Sequence, residues 1–187
     1  LRHRSAGDPA YERLVRIRTA GFADRVLDGA QLAPGMTLVD VGAGDGLIAF
    51  RAIDRIGPSL NVILTDISVP LLRHVETLAT ERGVRPQCTF LQGTAEKLEH
   101  IADAAVDVVT TRAVLAYVAD KRAAFDEMHR VLKPGGRISI AEPVLQDEAF
   151  ETSALRRMIS AQPSQTQDRF LALLHRFLDC TTPDAAL

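Results

Sequence analysis

A chain of 187 residues that is 47% hydrophobic and 25% charged has the composition of one globular domain with a real core, which excludes a disordered or fibrous protein. Its net charge of -2 gives no electrostatic reason to expect nucleic acid as a partner, and no apolar run approaches membrane-spanning length. Two cysteines, Cys88 and Cys180, are too few for a disulfide scaffold and too far apart for a metal motif, so the expectation is two reduced thiols, no metal and a cytoplasmic setting. The opening Leu1-Arg2-His3-Arg4-Ser5 lacks the apolar core of a signal peptide and an initiator methionine, so an excised or incompletely represented chain is expected. No internal repeat or low-complexity segment interrupts it.

The first element expected is a helix from Asp8 to Ala30, capped by Asp8, with Pro9 in its first turn and Tyr11, Leu14, Val15, Phe22 and Val26 sharing an apolar stripe. Pro34-Gly35 turns into a strand, Leu38-Val39-Asp40-Val41, whose apolar character on both faces suits the middle of a parallel sheet. The run ends in Gly42-Ala43-Gly44-Asp45-Gly46, and a helix follows to about Ile56, stopped by Gly57-Pro58. Strand, glycine turn and helix form the layout of a nucleotide site: Gly42 permits the turn, Gly44 exposes bare backbone to a ligand, and Gly46 lets the helix start close to the strand. The spacing G-x-G-x-G differs from the G-x-G-x-x-G of a dinucleotide site. Asp40 and Asp45 would repel a phosphate and favour a ligand with a cationic amino or sulfonium group.

A second strand, Asn61 to Thr65, ends at Asp66, which lies 20 residues past Gly46, where a Rossmann-type unit places the acid that accepts both ribose hydroxyls. Ser68 caps the next helix, which runs to Gly83 with Val69, Leu71, Leu72, Val75 and Leu78 as its apolar positions, and Ile67 is placed to pack on a base. A third strand, Cys88 to Gln92, leads into Gly93-Thr94-Ala95-Glu96-Lys97-Leu98. A fourth, Asp107 to Thr111, leads into the loop from Arg112 to Asp120, and Asp120 caps a helix through Ala124, Phe125, Met128, Val131 and Leu132. Pro134 is expected to end that helix, with Gly135-Gly136 turning into a fifth strand, Ile138 to Ala141, and Glu142 at its end. Beyond Asp147 the pattern is helical and no further strand is legible.

Four ordered matches over roughly residues 30 to 145 make the chain resemble the class I S-adenosylmethionine-dependent methyltransferases. They are the acid followed by G-x-G-x-G at Asp40 to Gly46, Asp66 after the second strand, Gly93 to Leu98 in place of the family's G-D-A-x-x-L, and Glu127 to Gly136 against E-x-x-R-V-L-K-P-G-G. The branch it looks most like includes the ubiquinone and menaquinone methyltransferases. The resemblance implies a three-layer α-β-α Rossmann-like fold with a mainly parallel sheet in the order 3-2-1-4-5-7-6, of which the last antiparallel hairpin is not visible here. Either the represented chain stops short, or a partner covers the fifth strand, for which a homodimer would serve.

The same resemblance implies S-adenosylmethionine as cofactor, released as S-adenosylhomocysteine. It puts Asp40, Gly42, Ala43, Gly44, Asp45 and Gly46 at the amino acid end, Asp66 and Ile67 at the ribose and adenine, and Thr94, Ala95 and Glu96 around the adenine amino group. Thr94 stands where the family has Asp, so Thr94, Glu96 or backbone groups must replace that carboxylate. Arg112 opens the loop that would line the reactive methyl. Residues 1–30 form a helical segment over the cofactor, 31–145 the core and 146–187 an incomplete helical segment on the substrate side. Arg4 or Tyr11 could meet the methionine carboxylate.

A small-molecule acceptor is implied, taking the methyl on O, C or N, because no N-P-P-Y or D-P-P-Y run is present to grip a planar amide. In-line displacement needs no dedicated acid, and alignment alone can supply about 7 to 11 kcal/mol. Where a base helps, Tyr117, Glu142 and His175 are the candidates by loop position. Two other readings stand beside this one: a catalytically idle cofactor-binding protein, and an NAD(P)-dependent oxidoreductase, against which the glycine spacing counts.

Overall fold

The computed structural model describes residues 9–142, with side chains from residue 19 onward. The first helix, α1, spans Pro9–Ala30, and five strands follow: β1 (Thr37–Val41), β2 (Asn61–Asp66), β3 (Cys88–Gln92), β4 (Val106–Arg112) and β5 (Leu132–Ala141). The helices between them are α2 (Leu47–Ile56), α3 (Val69–Glu81) and α4 (Lys121–Val131). All pairings are parallel and the sheet order is β3-β2-β1-β4-β5, so the family-like order expected for the first five strands is the one observed.

β1 lies at the centre, with Val41 opposite both Thr65 and Thr111. Leu38 joins a core with α1, α2 and α3 on one face of the sheet, while Val39 and Val41 join a second core with α4 on the other. The chain therefore changes faces between the β1 and β4 connections. Such a switch point leaves a crevice at the carboxyl ends of the strands.

Two expectations are corrected in detail. Phe22 does not share the stripe of α1. The buried positions are Ala23, Val26, Leu27 and Ala30, at intervals of three and four, and Phe22 is 42% exposed with the Arg25 guanidinium 4.7 Å from its ring centre. Helix α4 stops at Val131, before Pro134, because its last carbonyls are taken from outside: Ala104 N–H donates to Arg130 O at 2.9 Å and Ala105 N–H to Val131 O at 2.8 Å. Strand β5 therefore begins at Leu132, opposite Val106, and its register then jumps so that Arg137 stands opposite Val108. The glycine pair sits in that jump. Gly135 has φ +80, and a β-carbon on Gly136 would lie 2.9 Å from Lys133 O and 3.0 Å from Asp107 O.

The Glu127-to-Arg130 part of the motif is a tether. Arg130 donates to Leu98 O (3.0 Å), Ile101 O (2.9 Å), Asp103 (2.6 Å) and Glu127 (2.7 Å), while Glu127 Oε2 accepts the Leu98 N–H at 2.7 Å. The loop after β3 is thereby held on α4 through its backbone. Replacing Arg130 by Met leaves two carbonyls and the Glu127 carboxylate without this donor, which should cost about 2 kcal/mol in urea denaturation. A loss below roughly 0.5 kcal/mol would mean the tether contributes nothing to stability.

Candidate functional site

The glycine turn leaves the end of β1 in a backbone that only glycine adopts freely. Gly42, Gly44 and Gly46 have φ of +69, +57 and +75. Ala43 N–H donates to Thr65 O at 2.9 Å and Gly44 N–H to Asp66 Oδ2 at 3.0 Å, so the turn is pinned to the end of β2. The three glycines have different surroundings. A β-carbon on Gly42 would overlap Val114 Cγ2, and one on Gly46 would lie 2.7 Å from Phe50 and 2.9 Å from Val75, whereas one on Gly44 would meet only Gly42 O at 4.0 Å. Gly44 thus presents bare backbone to open space, as its place in the turn suggested. Gly46 is the N-cap of α2 and supplies no side chain, and the first N–H of that helix, of Leu47, is engaged only weakly, by Asp45 Oδ1 at 3.4 Å.

Asp66 is 8% exposed and bridges two segments, since its Oδ1 also accepts the Ser68 N–H at 2.8 Å. Ser68 in turn caps α3 by accepting from Leu71 N–H at 3.4 Å, so Asp66 is both a turn anchor and an acid at the mouth of the crevice. Ile67 beside it is 69% exposed, an apolar side chain left bare at the position expected to face a base. Ala95 is buried while Thr94 is exposed, and Thr94 engages its own loop by accepting the Lys97 N–H at 3.1 Å through its carbonyl. Glu96 is half-buried in the same loop.

Asp40 and Asp45, paired in the charge argument, are separated by the structure. Asp45 is exposed, and its Oδ1 accepts weakly from Leu47 N–H at 3.4 Å. Asp40 is 2% exposed beneath the turn and accepts a 2.9 Å hydrogen bond from Thr110 Oγ1. Burial pushes its carboxyl up to about 7, against the opposing pull of the Thr110 hydrogen bond and the Arg112 charge. Near neutral pH the Asp40 carboxyl is therefore partly protonated.

Among the base candidates, Tyr117 is 80% exposed in the short turn after β4. Glu142 is occupied: Oε1 accepts from Val114 N–H at 2.9 Å and Oε2 from Ala116 N–H at 3.3 Å. His175, Arg4 and Tyr11 lie outside the residues whose side chains are described. Arg112 is half-buried at the end of β4, next to Ala113, which has φ +55. Sequence reasoning did not single out Val114, the wall against Gly42, nor Thr111, whose buried hydroxyl has no hydrogen-bond partner among the described residues. Nothing in the pattern of an apolar loop signals such contacts. A groove of about 290 Å³ between α2 and α3, lined by residues including Phe50, Arg51, Leu78 and Arg82, lies on the outer helical layer and shares only Asp45 and Leu47 with this region. Among the described residues no cluster of His, Cys, Asp and Glu could hold a metal, and no helix is long and apolar enough to cross a membrane.

A methyltransferase-domain family model matches residues 32–176, from just before the central strand to past the end of the described sheet. The chain belongs to the methyltransferase-domain family. Among its relatives is the nocamycin O-methyltransferase of Saccharothrix syringae, 35% identical over 65% of this chain and 43% of that protein. The ubiquinone/menaquinone biosynthesis C-methyltransferase UbiE of Shewanella oneidensis is 34% identical over 58% of this chain and 43% of its own. The chain thus spans less than half the length of these curated relatives. Two solved structures share the fold: the cyclase SpnF, with TM-score 0.62 and 28% identity over 66% of this chain and 44% of SpnF, and geranyl diphosphate methyltransferase in complex with S-adenosylmethionine, with TM-score 0.63 and 25% identity over 73% of this chain and 56% of that one.

The buried Asp40 makes a signed prediction. Its unfolded-state carboxyl titrates near 3.8 and its folded-state one near 7, so between about pH 4 and pH 7 the folded protein holds a proton that the unfolded chain releases. Stability from this group therefore falls as pH rises through that window and is level above it. In Asp40→Asn that slope is gone. The stability difference between variant and parent should grow in the variant's favour by about 2 kcal/mol from pH 5 to pH 8 in denaturant titrations. Parallel pH profiles would show that the Asp40 carboxyl is not held neutral by burial.

Proposed function

We propose that this chain carries the S-adenosylmethionine site of a methyltransferase that modifies a small molecule at O, C or N. One observation carries the reading most: within a fold belonging to the methyltransferase-domain family, the glycine turn is open at Gly44 and pinned to the acid Asp66 at the sheet's switch point. The residues present fit the cofactor. Gly44 offers backbone without a side chain in the way, the start of α2 brings the positive end of its dipole to a carboxylate, and Asp45 and Asp66 favour a cationic ligand. Asp66 would accept ribose hydroxyls on lone pairs not used by Gly44 and Ser68, and the bare face of Ile67 would lie against the adenine. Ala95, with Thr94 and Glu96, would border the base, and Gly42, Ala43, Gly46 and the deeper Asp40 would shape the turn itself.

When bound, the cofactor supplies an electrophilic methyl on a sulfonium, a leaving group already activated by its charge. The protein's part is then to hold the acceptor on the axis and keep water away. The loop from Arg112 to Val118 leaves the strand next to the glycine turn, and its exposed Tyr117 would border the acceptor. The O- and C-methyltransferase relatives support a small-molecule acceptor without choosing its atom. This reading also takes the enzyme to be cytoplasmic and its partner across the fifth strand to be a second copy of the chain.

A second reading, cofactor binding without methyl transfer, draws on the likeness to SpnF, a cyclase. Titration calorimetry with S-adenosylmethionine, S-adenosylhomocysteine and NADH tests the cofactor. The first two should bind at micromolar Kd and NADH should not, and Asp66→Ala should weaken binding by roughly tenfold or more with the fold intact by circular dichroism. Binding of NADH alone, or undiminished affinity in Asp66→Ala, would overturn the assignment. Methyl transfer to acceptors of the phenol and acidic-carbon classes, followed by mass spectrometry, separates the first reading from the second.

A further inference from the structure

Beyond the single 3-10 turn Leu115–Tyr117, the loop after β4 has no regular structure to hold it in place, yet its conformation is closely determined. Ala113, a residue with a β-carbon, sits at φ +55, and its N–H donates to Ala141 O at 2.9 Å. The N–H groups of Val114 and Ala116 point to a single carboxylate, one to each oxygen of Glu142. Tyr117 N–H then closes the turn on Val114 O at 2.9 Å. Val114 carries the consequence across the site, because its methyl groups fill the space that a side chain on Gly42 would need.

We infer that Glu142 is a positioning residue that fastens the loop after β4 against the glycine turn, and that it reaches the ligand site through the contact of Val114 with Gly42. A carboxylate that accepts two amide N–H groups at the start of a short turn acts as its cap. Each oxygen accepts one backbone donor, so the carboxylate serves as an anchor for the loop. The end of β5, the loop after β4 and the turn after β1 become one mechanical unit. The cofactor side of the site and the acceptor side then share a wall. The effect on ligand binding rests on the cofactor reading given above; the clamp itself does not.

Amide hydrogen exchange on the whole chain tests the clamp without any ligand. In Glu142→Ala the Val114 and Ala116 amides should exchange roughly tenfold faster or more, with Val39 and Val109 of the central strands unchanged. Glu142→Gln keeps one acceptor oxygen and should leave one of the two amides slow; it also decides the matter if loss of protection at Val39 and Val109 shows that the alanine variant does not fold. Unchanged protection at both amides would overturn the inference. Calorimetry with S-adenosylhomocysteine then tests the route. Glu142→Ala and Val114→Ala should each weaken binding by about fivefold, and the double variant no more than either alone. Additive losses would overturn transmission through Val114. Absence of binding by the parent protein would instead defeat the cofactor reading, and the exchange experiment would still decide the clamp.

Discussion

Three alternate residues between β1 and α2 hold the left-handed backbone, at φ +69, +57 and +75, and the position of every other part of the site follows from that turn. A residue with a β-carbon would be strained at each of them, and at Gly42 and Gly46 it would also collide with Val114 or with Phe50 and Val75. The turn is tight because both of its neighbours are close: β2 pins it through Thr65 and Asp66, and the loop after β4 leans on it through Val114. The glycines therefore do two jobs at once. They bring three chain segments within van der Waals reach of one another, and at Gly44 they leave backbone uncovered for a ligand.

Four carboxylates in this domain organise backbone. Asp66 holds the N–H groups of Gly44 and Ser68, Glu142 those of Val114 and Ala116, Glu127 that of Leu98, and Asp107 that of Thr37 at 2.8 Å. The first three tie a loop to a neighbouring element, and Asp107 ties the first residue of β1 to β4. Asp40 is different. It accepts from the Thr110 hydroxyl as well as from the Ala49 backbone, lies under the turn, and burial keeps its carboxyl partly protonated near neutral pH. The proposed methyl transfer can tolerate such an arrangement, because in-line displacement from a charged leaving group asks for alignment and a dry, well-shaped crevice more than for an acid or base of fixed pKa.

The order of the five strands followed from the family resemblance, while the glycine turn, the caps at Ser68 and Asp120, and the acid after β2 were legible residue by residue. They are local: each is written in a run of apolar residues, a break in that run, or a residue whose conformational preference suits one position. The bounds of β2 and β3 could be read closely for that reason, and so could the start of α4 at Asp120. The end of α4 could not. Pro134 says only that a helix must stop before it, while the actual stop at Val131 depends on Ala104 and Ala105, some 26 residues upstream, capturing the last carbonyls.

What tertiary structure alone decided is which polar group serves which segment. Asp40 and Asp45 are near neighbours in the chain, and only packing places one under the sheet's helical layer and leaves the other in solvent. Glu142 reads as a free acid at a strand end until β4 and β5 lie side by side and bring the Val114 and Ala116 amides to it. Val114 is one of several apolar residues in its loop, and its contact with Gly42 spans more than seventy residues of chain. Residue preferences act over a few positions and determine elements; desolvation and hydrogen-bond pairing act across space and determine the site.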